Sequence, residues 1–153
     1  MCKLRMKDTK TTFVVAATHL KAKPSFEEDR KEETLVLLDE IGSFSQHKLP
    51  CFVLGDFNDI PDSLCYNAMI KAGYFSAYTL YENKIEPFTT SKIRETLTHR
   101  TIDYIFFLNS NCNVCTPYEL LSPIDEAFLG ETHLPLPNYP SDHLALAASF
   151  EIN

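Results

Sequence analysis

Two runs of β-branched and apolar residues, Thr12 to Thr18 and Cys51 to Leu54, flank about 20 residues with helical spacing, and this arrangement constrains the fold more than any other feature. A strand, a helix and a strand joined at this length form a crossover, so the two strands run parallel. The helix is expected to open on a capping box, Ser25 with Glu28 three residues on, and to bury a face of Leu35, Leu37, Leu38, Ile41 and Phe44. Its acidic residues Glu27, Glu28, Asp29, Glu32 and Glu33 lie mainly in the first turns, where the helix dipole favours negative charge. Parallel strands deliver whatever follows them to one edge. Thr18-His19-Leu20 and Gly55-Asp56-Phe57-Asn58 are therefore expected to meet at the strands' carboxyl ends, where open α/β sheets keep their ligand sites.

Further along, Pro61-Asp62-Ser63 starts a short helix that buries Leu64, Ala68 and Met69 and ends near Gly73. Tyr74 to Glu95 reads as mixed and turn-rich. Thr101 to Leu108 alternates as a strand that puts Asp103 on one face with Thr101, Ile105 and Phe107. The Pro-rich stretch Leu134 to Pro140 is a loop leading through Ser141-Asp142-His143 into a last strand, Leu144 to Phe150.

A chain of 153 residues that is 44% hydrophobic supports one core, so residues 1–153 are expected to form one globular unit of the α/β class. No apolar run approaches the ~20 residues of a membrane span, and the first residues lack the apolar stretch of a signal peptide. Five cysteines without framework spacing fit a reducing compartment, so the chain reads as soluble, intracellular and cytoplasmic. Mitochondrial placement stays open should a targeting segment precede it. Cys112 and Cys115 have the spacing of half a zinc site, but no second pair accompanies them, and a structural zinc is not expected. The net charge of -7 disfavours non-specific attraction to polyanions, so a phosphate substrate needs a bound cation or a local basic patch.

The polar clusters suit phosphoester chemistry, which requires a positioned water, neutralised charge on the non-bridging oxygens and help for the leaving oxygen. Asp56 is suited to orient or deprotonate the water, and Asn58 to bond the water or a phosphate oxygen. His143, oriented by Asp103, can carry a proton near neutral pH, and a protonated His19 would donate to the phosphate. Asp142 is a hard oxygen ligand for Mg²⁺. Each cluster alone has an ordinary structural explanation: an Asx turn at Asp56, an N-cap at Ser141, an ion pair of Asp103 with Arg94 or Arg100. Their joint occurrence in this order favours the catalytic reading.

In that order the four clusters resemble the endonuclease/exonuclease/phosphatase superfamily. Longer stretches are similar to the nocturnin family in its deadenylase-like branch: Thr18 to Lys23, Pro87 to Arg94, Thr101 to Ile105, and Leu136 to His143. The resemblance implies half of a four-layered α/β sandwich of the DNase I-like type, with Mg²⁺ at the sheet edge. It implies removal of the 2′-phosphate from NADP⁺ and NADPH as the activity, with poly(A) shortening by a 3′-exonuclease as the alternative. By the same resemblance Lys21, Lys23 and Arg94 match basic positions that contact substrate phosphates, although the family has Arg where this chain has Lys23, and Arg alone can grip a phosphate bidentately. Family catalytic domains are about twice as long, and their first half carries an Asn and the Glu that is the principal metal ligand. Neither has a counterpart here, so the chain matches the carboxy-terminal half only, and a truncated, non-catalytic fragment or binding module is the third expectation.

Overall fold

The computed structural model describes residues 1–80, 86–93, 96–109, 115–120 and 134–152. The expected crossover is present. Strand β1 (Cys2–Arg5) pairs antiparallel with β2 (Thr12–His19), and helix α1 (Glu27–Ser45) returns the chain to β3 (Cys51–Asp56), which runs parallel to β2. Helix α2 (Leu64–Lys71) is followed by β4 (Phe75–Ser76) and one turn of helix, α3 (Ala77–Leu80). Strands β5 (Thr90–Ile93) and β6 (Leu97–Arg100) pair with each other, so the stretch expected to be turn-rich contains short regular elements. Strand β7 (Asp103–Leu108) enters the main sheet antiparallel to β3, giving the order β1-β2-β3-β7-β4. Strands β8 (Cys115–Leu120) and β9 (Ala148–Ile152) form a separate pair.

The sheet is apolar on both faces because its strands alternate two apolar sets. Val14, Ala16, Val53, Tyr104 and Phe106 face the helices and pack with Ile41, Phe57, Tyr66 and Met69. On the opposite face Phe13, Val15, Phe52 and Phe107 pack with Cys115, Phe150 and Ile152 from the β8–β9 pair. Phe57, Tyr66, Tyr104 and Phe106 meet edge to face or stacked with ring centroids 5.2–5.6 Å apart, a geometry that adds to simple burial.

Four local expectations need correction. Ser25 does not cap α1: Pro24–Phe26 form a 3₁₀ turn, the N-cap is Phe26, and no side-chain bond closes it. The buried stripe of α1 is Arg30, Thr34, Ile41 and Ser45, flanked by half-buried Leu37 and Leu38, whereas Leu35 and Phe44 are exposed. The last strand begins at Ala148 and not at Leu144, because the Leu144 N–H donates to the Thr89 carbonyl, that of Ala145 to the Tyr139 hydroxyl and that of Ala147 to the Tyr78 hydroxyl. At α2 the ends hold but the buried face differs: Ser63 caps the helix by accepting from the Tyr66 N–H and Gly73 follows in the left-handed conformation at φ 88, whereas the buried residues are Cys65, Tyr66 and Met69, with the expected Leu64 and Ala68 only half-buried. Of the suggested half zinc site, Cys112 lies outside the described residues and Cys115 is buried in the cluster with Phe52 and Phe107. Among those residues no helix is long and apolar enough to cross a membrane.

Glu86 accepts a hydrogen bond from the Tyr66 hydroxyl at 3.1 Å, and burial pushes its carboxyl above the ordinary value. For an acid with a raised folded-state value, stability is intact below the unfolded value and is lost as pH rises through the folded one. Glu86→Gln keeps the acceptor oxygen and removes the charge. It is expected to raise the melting temperature at pH 7 more than at pH 4, and an equal gain at both would refute the assignment.

Candidate active site

Strand register builds the site. His19 stands opposite Asp56 across the parallel β2–β3 pair, and Asp56 opposite Asp103 across the antiparallel β3–β7 pair. Three side chains from separate parts of the chain thus form one row across the sheet edge, on the face away from the helices, since residues opposite one another share a face. Gly55 makes the row feasible. Its φ is +146, and a Cβ there would lie 1.9 Å from the Thr18 carbonyl oxygen, so only glycine lets β3 approach β2 at this point.

After β3 the chain turns at Asn58, at φ 52. The Asn58 N–H donates to Asp56 Oδ1 at 2.7 Å, and its Nδ2 donates to the Leu20 carbonyl at 3.0 Å. The first bond is an Asx turn and the second ties the two strand ends together. Burial pushes the Asp56 carboxyl above the ordinary carboxylate range; the Asn58 bond opposes this and the Asp103 charge adds to it.

His143 completes the group. Its Nδ1 lies 2.9 Å from Asp103 Oδ2 and 3.2 Å from Oδ1, and its Nε2 lies 4.0 Å from Asp56 Oδ2. A carboxylate only accepts, so the bond assigns the proton to Nδ1 and turns Nε2 toward Asp56. Fully buried Thr89 holds the arrangement from below: its Oγ1 accepts from the N–H groups of Ile102 and Asp103, and its carbonyl accepts from Leu144. Thr90 Oγ1 donates to the Asp142 carbonyl at 2.8 Å. Asp103 therefore takes His143 as its partner and not Arg100.

The other expected residues sit as follows. The His19 ring is 73% exposed and its Nε2 is 3.6 Å from Asp56 Oδ2, too long for a strong direct bond. Lys21 and Lys23 are exposed on the turn that leaves β2, and the Lys21 ammonium lies over the Phe26 ring. Arg94 lies outside the described residues. Asp142 pairs with Lys92 at 2.7 Å, and that hydrogen bond holds its carboxyl below the ordinary range. Ligand atoms of Asp56, Asp103 and His143 lie within 4.8 Å of one another. Two carboxylates at one point fit a divalent ion that takes one or two protein carboxylates and keeps its waters.

Sequence reasoning missed Thr89, Lys92 and the buried pair of Arg30 with Asp59. Thr89 and Lys92 fall within the Pro87 to Arg94 segment, but their roles depend on residues more than ten positions away. A basic residue among the acids of the first turns of α1 is the sole local sign of Arg30.

No family model matches the chain. Human nocturnin is 36% identical over 154 residues, covering 96% of this chain and 35% of that protein. The probable CCR4-Not complex 3′-5′-exoribonuclease subunit Ccr4 of Vairimorpha ceranae is 29% identical over 167 residues, covering 94% of this chain and 33% of that protein. Among solved structures, the human nocturnin catalytic domain with bound sulfate superposes with a TM-score of 0.76 at 30% identity, over 99% of this chain and 51% of that one. ANGEL2, a 2′,3′-cyclic phosphatase in complex with adenosine-2′,3′-vanadate, superposes with a TM-score of 0.72 at 25% identity, over 90% of this chain and 56% of that one. The chain thus spans about a third of the full nocturnin sequence and about half of its catalytic domain.

Proposed function

Because the chain belongs to the endonuclease/exonuclease/phosphatase superfamily by homology and by fold, we propose that it is the carboxy-terminal half of a nocturnin-like, Mg²⁺-dependent hydrolase that removes the 2′-phosphate from NADP⁺ and NADPH. The convergence of Asp56, Asp103 and His143 at one sheet edge carries the reading. Two solved relatives hold sulfate or a vanadate ester, tetrahedral or phosphate-like oxyanions of the kind such a site would receive.

In this mechanism Asp56, with its raised pKa, orients the attacking water and accepts its proton as the water adds to phosphorus and the bond to the 2′ oxygen breaks. Asn58 keeps its side-chain oxygen and one N–H for the water or a phosphoryl oxygen, the other N–H being held by Leu20. Asp103 fixes the ring of His143, which, when protonated at Nε2, gives that proton to the departing 2′ oxygen and so balances the proton taken from the water by Asp56. His19, when protonated, and the ammonium groups of Lys21 and Lys23, with Arg94, supply positive charge to the phosphates. Mg²⁺, when bound, neutralises charge on the non-bridging oxygens. Asp56 and Asp103 offer oxygen ligands, and Asp142, whose Oδ2 is paired with Lys92 in the structure, is the further carboxylate of this reading. A cytoplasmic or mitochondrial location belongs to the same reading.

The similarity to Ccr4 supports a second reading, a poly(A)-specific 3′-exonuclease, since one catalytic set serves either phosphoester. The third expectation, a non-catalytic binding module, is an outcome of the test that separates the first two. Phosphate release from NADP⁺ and NADPH and shortening of poly(A), both with Mg²⁺, are to be measured on this chain and on its fusion to the amino-terminal half of a nocturnin catalytic domain. Phosphate release is the expected result. Preferential poly(A) shortening would overturn it in favour of the second reading, and inactivity of both proteins in favour of the third.

A further inference from the structure

We infer that Arg30 is the positioning residue of the lysine-bearing turn: one buried guanidinium fixes Lys21 and Lys23 relative to the loop that follows Asp56 and carries Asn58 and Asp59. Arg30 is 1% exposed, although charged side chains are almost never buried unless paired. Its Nε donates to Asp59 Oδ2 at 2.8 Å, and its Nη1 donates to the carbonyl oxygens of Lys23 at 2.7 Å and of Lys21 at 3.2 Å. Asp59 is itself anchored, its Oδ1 accepting from Ile60 N–H at 3.1 Å and its carbonyl accepting from the buried Tyr104 hydroxyl at 2.8 Å. The guanidinium therefore spans from β7, through Asp59, to both lysine carbonyls.

Two further features identify positioning as its role. Lys23 adopts φ 81 and ψ 140, a conformation costly for a residue with a side chain, and such strain persists only where the surroundings over-determine it. Arg30 Nη1, at 2.7 Å, makes the shorter of the two bonds to that residue's carbonyl, the other coming from the Phe26 N–H at 3.3 Å. The rest of the turn is held too: the Leu20 N–H donates to the Asp56 carbonyl at 2.9 Å, and the Lys21 N–H donates to Glu33 Oε2 at 2.8 Å. A buried ion pair adds little net stability compared with apolar residues of the same size. What this pair supplies is a fixed separation between two cationic Cα positions and the catalytic carboxylate, and pre-set geometry of this kind raises affinity by sparing the cost of ordering.

The inference rests on the reading that Lys21 and Lys23 bind phosphate, and its test separates the two. Arg30→Lys keeps the charge opposite Asp59 but loses the planar fork that reaches two carbonyls. In the whole chain, amide hydrogen exchange at Leu20 and Lys21 is expected to accelerate about tenfold or more in this variant, with exchange at Met69 and Phe106 unchanged. Titration with inorganic pyrophosphate at low salt is expected to show about a tenfold loss of affinity, and adding Lys23→Ala is expected to cost less in this background than in the parent. Unaltered exchange at Leu20 and Lys21 in a folded Arg30→Lys chain would overturn the inference, and so would accelerated exchange with parental affinity. Should Lys21→Ala and Lys23→Ala leave pyrophosphate binding unchanged, the phosphate-binding reading fails, and the exchange measurement alone decides whether Arg30 fixes the turn. Should Arg30→Lys not fold, Asp59→Asn is read by the same exchange measurement, with acceleration at Leu20 and Lys21 expected and parental exchange overturning the role.

Discussion

Gly55→Ala is expected to cost the fold about 4 kcal/mol or more, at the extreme of single substitutions. The added Cβ would sit 1.9 Å from the Thr18 carbonyl oxygen, which is backbone in the adjacent parallel strand and cannot rotate away. The position also needs φ +146, which a side chain resists independently. Relief requires β2 and β3 to part at the point where His19 and Asp56 stand in register, so the catalytic row and the sheet fail together. Against the 5–15 kcal/mol typical of a domain, a loss of about that size removes most of the stability at the lower end of the range. Gly73→Ala is the control. It too has a positive φ, of 88, but its Cβ would meet only the tip of the Leu108 side chain at 3.4 Å, and the cost should be about 1 kcal/mol. Urea unfolding measures both, and a Gly55→Ala midpoint equal to that of the control would refute the account.

The parts legible in the sequence are those that repeat at short range. The β-branched runs and the helical stretch between them fix the crossover, and the crossover alone brings His19 and Asp56 to one edge. The approach of Asp103 could be read only as far as its strand face; its place opposite Asp56 depends on β7 being antiparallel to β3, which no local pattern encodes. At α1 the apolar period misleads because the inward stripe is partly polar. Arg30 and Thr34 are buried with their polar atoms bonded, Arg30 to Asp59 and Thr34 to the Arg30 carbonyl, so counting apolar residues turns the helix toward Leu35 and Phe44. Ser25 and Glu28 have the spacing of a capping box, but Pro24 and the strained Lys23 commit the chain to a 3₁₀ turn first. The late start of β9 has a similar cause: the backbone of residues 144–147 bonds to Thr89, Tyr139 and Tyr78, partners as far as 69 positions away.

The other large effect is on turnover. Asp103→Asn is expected to lower the rate constant for phosphate release by about 10²- to 10⁴-fold, the usual contribution of a positioned proton carrier, with little change in KM. The Asp103 carboxylate holds the Nδ1 proton of His143 at 2.9 Å and so leaves Nε2 free to take or give a proton. An amide at this place can present its N–H₂ to Nδ1 instead, which favours the opposite tautomer and puts the proton on Nε2. The fold should survive, because the backbone of Asp103 is fastened by Thr89 Oγ1 through the N–H and not through the carboxylate. His143→Ala should cost about as much, and the double variant little more than either, since the two residues act as one unit. If the pair were only a structural ion pair at the sheet edge, both single variants would lower the melting temperature and leave turnover per folded molecule unchanged. Rates measured on the active assembly beside its melting curve separate these outcomes.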